Sequence, residues 1–97
     1  MYTIKRSNRK NKKWMVILPS GKKIHYGAIG YSDYTKHKDN KRKERYLARH
    51  RKREDWTKNG IDTAGFWSRY HLWNKPNNID SLQDIADEFD IEINFLN

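Results

Sequence analysis

Cysteine is absent from this chain of 97 residues, which excludes disulfide scaffolds, thiolate metal sites and cysteine nucleophiles. Apolar residues are scarce, at 35%. No apolar run approaches the roughly 18–20 residues of a membrane span, and the N-terminus shows no apolar core of a secretory signal. The expectation is a protein that is not secreted. Low apolar content would suit a disordered chain, yet four Trp, six Tyr and three Phe bring aromatics to 13%. Those rings are large buried anchors for a small fold, and disordered chains usually lack them. The length fits one domain over residues 1–97, burying only about 60–65% of its potential surface.

Charge of one sign is also scarce in the first half. Residues 1–58 carry nineteen basic and five acidic side chains, whereas residues 59–97 carry two basic and seven acidic. The net +9 therefore conceals a front of +14 and a back of −5. Such an asymmetry points to a polyanion-binding front and an acidic C-terminal segment.

Local patterns give an α+β fold: a small antiparallel N-terminal sheet packed on two to three helices. Residues 1–27 read as a β-meander. Tyr2 to Ile4 alternates, Trp14, Val16 and Leu18 share one strand face, and Pro19-Ser20-Gly21 turns the chain into Lys22 to Tyr26. Residues 36–55 read as one basic helix, rich in Lys, Arg, Glu, Leu and Ala and free of Gly and Pro, with a thin apolar stripe at Tyr46 and Leu47. Thr63 can cap an aromatic core helix over residues 63–75. Ser81, with Asp84 three residues on, resembles a capping box for an acidic amphipathic helix bearing Leu82, Ile85, Ala86 and Phe89. Ile91, Ile93 and Phe95 then suggest a fourth strand joining the sheet, within the segment 80–97.

The strongest constellation is Lys36 to Arg53, with ten basic residues against Asp39 and Glu44. Duplex DNA presents one negative charge per ~1.7 Å, so cations at this density suit phosphate neutralisation. Arginine adds planar forks that match phosphate oxygens. The expected nucleic-acid contacts are Arg42, Arg45, Arg49, Lys52 and Arg53, with Arg9 and Lys10 from the loop before Lys12 as auxiliaries. Binding by about six phosphates would fall by orders of magnitude from low to moderate salt. No pattern of Asn and Gln for reading adenine edges accompanies the cations, so sequence preference should be slight. DNA is expected ahead of RNA. The apolar stripe is too thin for a membrane-surface helix.

Other constellations have blander readings. Aromatics interleave with bases at Trp14, Tyr26, Tyr31 and Tyr34, as a stacking platform would require, but Trp14 and Tyr26 read as core packing. Gly27-Ala28-Ile29-Gly30 reads as a turn rather than a backbone clamp. His25, His37, His50 and His71 lack metal-ligand spacing, so no metal and no cofactor is expected. The carboxylates Asp84, Asp87, Glu88, Asp90 and Glu92 read as a solvated helix face rather than a nuclease centre, and an enzyme is not expected.

Several blocks stand together in order: Lys22 to Gly27, Asp33 to Asp39, Arg45 to His50, Glu54-Asp55-Trp56, Ala64 to Tyr70 and Leu72 to Pro76. In these the chain resembles a family of small basic proteins encoded by large DNA viruses of eukaryotes, such as the phycodnavirus, mimivirus and marseillevirus groups. The resemblance runs from about Tyr2 to Pro76, and carries no established activity and no catalytic residues. It implies a viral setting, in the virion or the infected host cell, where basic proteins serve packaging, replication or assembly. The alternative to nucleic-acid binding is a minor structural or cement protein of the virion. Its basic face would then meet acidic protein surfaces, with Trp56 or Trp73 as exposed interface anchors.

Overall fold

The computed structural model describes residues 1–96. Three strands, β1 (Tyr2–Arg6), β2 (Lys12–Ile17) and β3 (Lys23–Ala28), form the antiparallel meander expected from the alternation. The turn between β2 and β3 closes where expected. Gly21 sits at φ 93° and its N–H donates to Leu18 at 2.8 Å. The C-terminal strand β4 (Ile93–Leu96) joins the other edge, but it runs parallel to β1, so the sheet is mixed, in the order β3-β2-β1-β4. The long helical crossover explains the direction, since only such a connection returns a chain parallel to an earlier strand. The fold is α+β.

Four helices lie between β3 and β4: α1 (Tyr34–His37), α2 (Asn40–His50), α3 (Ala64–Trp67) and α4 (Asn78–Phe89). No helix among the described residues is long and apolar enough to cross a membrane. The expected continuous basic helix over 36–55 is divided. Lys38 adopts the left-handed conformation at φ 56° and ends α1, and Asp39 then caps α2 through the Lys41 and Arg42 N–H groups. The helix stops at His50, so Lys52 and Arg53 lie in the turn that follows it.

The aromatic segment also departs from a plain helix. Thr63 caps it as expected, accepting from the Phe66 N–H at 3.3 Å. After Trp67 the chain widens into a π turn over Ser68–Leu72, and the Trp73 N–H reaches back to Ser68. The wider turn changes the phase of the side chains. Trp67, His71 and Leu72 are buried in the core, while Trp73 is left half-buried beside α2. α4 begins four residues earlier than the Ser81 reading. Asn77 is its cap, accepting from the Asp80 N–H at 2.8 Å. Ser81 is buried inside the helix, where its hydroxyl accepts from the Lys75 N–H.

The core lies between one sheet face and α3, the π turn and α4. Ile4, Trp14, Val16, Ile24 and Tyr26 meet Phe66, Trp67, Leu72, Leu82 and Ile85. Trp14 and Tyr26 are core residues, as the composition requires. His71 is wholly buried among them, accepting from the Tyr26 hydroxyl at Nδ1 (2.7 Å) and donating from Nε2 to Asn78 (2.9 Å). Burial lowers its pKa to about 4, so it is held neutral.

Candidate nucleic-acid interface

The basic helix has few apolar residues with which to dock, and an aromatic stack supplies the deficit. The Tyr46 ring lies on the Trp73 indole at 4.2 Å and 5°, and on His50 at 4.2 Å and 24°. His37 meets the same indole at 5.3 Å. At the far end, His50 Nδ1 donates to Glu54 at 3.0 Å, and the other Glu54 oxygen accepts from the Trp56 indole N–H. Lys43 is also committed to the fold: its ammonium donates to the Asn74 carbonyl at 2.7 Å and lies 4.9 Å from the Tyr34 ring. With Tyr46 and Lys43 turned inward, helical geometry leaves Arg42, Arg45 and Arg49 along another face, at i, i+3 and i+7.

Those three arginines form one wall of a cleft of about 650 Å³. Lys12 and Tyr31 line it as well, from β2 and the loop after β3, and Tyr26, Tyr46, Leu72 and Trp73 supply its aromatic and apolar floor. Gly27 is required here. Its φ is 79°, and a Cβ would come within 2.8 Å of Leu72.

Lys13 and Asp33 lie between this cleft and a second one of about 540 Å³, and line both. The Lys13 ammonium contacts Asp33 at 2.6 Å and the Tyr31 carbonyl at 2.6 Å. Asp33 is 2% exposed and also accepts from the Thr35 N–H and hydroxyl. The second cleft is cationic too, with Arg6, Lys36 and Lys38 around Trp14, Asn77 and Asn78. The Arg6 guanidinium lies 4.4 Å from the Trp14 ring centre.

Of the seven residues expected at the interface, the fold thus gathers Arg42, Arg45 and Arg49 into one cleft. Arg9 and Lys10 lie exposed in the loop between β1 and β2, and Lys52 and Arg53 are exposed after α2, outside both clefts. Sequence reading did not place Lys12 in the cleft of the arginines, nor Arg6, Lys36 and Lys38 around a second cleft. Only long-range pairing brings these residues together.

The ion pairs among the described residues are Lys13–Asp33 and His50–Glu54. Neither pair engages a cleft arginine, although the Asp33 and Glu54 carboxylates also line that cleft, and no carboxylate of α4 lines it. Asp84 instead accepts from Asn74 at 2.8 Å, and Asp87 from Gln83 at 3.0 Å. Trp56 and Trp73 are half-buried and engaged internally, Trp56 beneath the Arg69 guanidinium at 5.4 Å.

No curated protein and no solved structure matches the chain. A family model does match, over residues 2–50, a little more than half of the chain. The match runs from β1 to the last residue of α2, and so contains Lys12, Tyr31 and all three cleft arginines. The chain belongs to the family of unknown function DUF5754.

Proposed function

We propose that this chain binds nucleic acid, gripping the phosphate backbone largely without regard to sequence. The observation that carries this reading is the row of Arg42, Arg45 and Arg49 along one cleft wall, with Lys12 also in the cleft and, among the described residues, no carboxylate paired to any of the four. Like charges at this helical spacing repel, costing roughly 0.2–0.5 kcal/mol per pair. A polyanion relieves that repulsion and takes bidentate contacts from the arginine forks. From Arg42 to Arg49 the helix rises about 10 Å, a span of about three phosphates along one strand of a duplex. The cleft holds no array of amides that would read base edges, in keeping with weak sequence preference. The protein acts by binding rather than catalysis, and its resemblance to proteins of large DNA viruses makes viral DNA the proposed partner.

The test is a titration of labelled DNA at a series of salt concentrations. About four phosphates neutralised in the cleft give a log–log salt slope of about −3 to −4. A slope near zero, or no binding at low salt, overturns the reading.

A further inference from the structure

Tyr31 is the most exposed of the large apolar or aromatic side chains in the protein, at 74%, although its backbone is firmly held. The Lys13 ammonium grips its carbonyl at 2.6 Å, and the buried Asp33 carboxylate holds that ammonium in turn. Fixing the loop this way presents the ring at the border of the arginine cleft, outside the Tyr46–Trp73 stack. A tyrosine in that position buries little apolar surface for the fold, yet it offers a flat face in the cleft lined by three guanidinium groups.

Resting on the phosphate-binding reading above, we propose that the cleft takes single-stranded nucleic acid in preference to duplex. The backbone lies along Arg42, Arg45 and Arg49, and an unpaired base stacks on Tyr31. The shape of the site favours this occupant. Its cations are set in a concavity of about 650 Å³, within the range of about 300–1,000 Å³ that encloses small ligands. An unstacked nucleotide can enter such a space, whereas a paired base exposes only its edges in the grooves and must be flipped out to offer its face. Stacking on an aromatic ring is indifferent to base identity, consistent with cations that carry no sequence readout.

Fluorescence anisotropy of the full chain tests this, using labelled oligodeoxyuridylate and oligouridylate strands of about a dozen nucleotides and a DNA duplex of the same length. Either single strand should bind about tenfold more tightly than the duplex, and the better of the two identifies the preferred sugar. Tyr31→Ala should weaken single-strand binding about tenfold, weaken duplex binding far less, leave Tm unchanged, and be rescued by Tyr31→Phe. Duplex binding as tight as single-strand binding, or an inert Tyr31→Ala, overturns the single-strand proposal while salt-dependent binding leaves the phosphate reading standing. Absence of binding to all three probes at low salt removes both.

Discussion

Tyr46 and Trp73 stack face to face at 4.2 Å, within 5° of parallel, and this contact joins the basic helix to the rest of the protein. Tyr46 is the one buried residue of the helix. Tyr46→Ala should therefore cost about 3 kcal/mol, read as a lower denaturant midpoint. Tyr46→Phe keeps the stack and should cost far less. Equal losses in the two variants would show that the hydroxyl, not the stack, holds the helix.

A second prediction concerns the pair that separates the two clefts. Lys13 and Asp33 are both shielded from water, with side chains 10% and 3% exposed. Asp33→Ala leaves the ammonium without its partner and should destabilise the fold by about 3–5 kcal/mol. Replacing both residues together, Lys13→Met with Asp33→Leu, should recover part of that loss in chemical denaturation. A double variant as unstable as the sum of the single ones would show that the two side chains act independently.

How far the sequence discloses these features depends on the range of the interaction. Strand alternation and the Pro19-Ser20-Gly21 turn are local, and both appear where expected. The break at Lys38 is not legible, because a lysine seldom adopts positive φ and no glycine marks the spot. Ser81 has a cap residue's chemistry, but Asn77 competes for the same role and prevails. The three cleft arginines are legible as charge density at helical spacing. That Lys12 and Tyr31 share their cleft depends on strand pairing and on a loop tied down by Lys13, which no local pattern records.

Acid should unfold the protein early. His71 is neutral in the fold with a pKa near 4, against 6.5 when exposed. Between those values the unfolded chain binds the extra proton, so stability is full above about pH 6.5 and falls as pH drops toward 4, by about 3 kcal/mol. Burial lowers the pKa of His25 and His37 as well, which adds in the same direction. Denaturant midpoints measured from pH 7 to pH 4 should decline steadily, and His71→Phe should flatten the decline. An unchanged pH profile in that variant would assign the effect elsewhere.

The most direct test of the cleft compares two sets of neutralised cations in one salt titration with nucleic acid. One variant carries Arg42→Gln, Arg45→Gln and Arg49→Gln; the other carries Lys10→Gln, Lys52→Gln and Arg53→Gln, all outside the clefts. The two lose the same formal charge. If the cleft grips the phosphates, the first variant loses about 2 to 3 from the log–log salt slope, and the second stays close to wild type. Equal losses in the two would mean that net charge alone attracts the polyanion, and would contradict a built site.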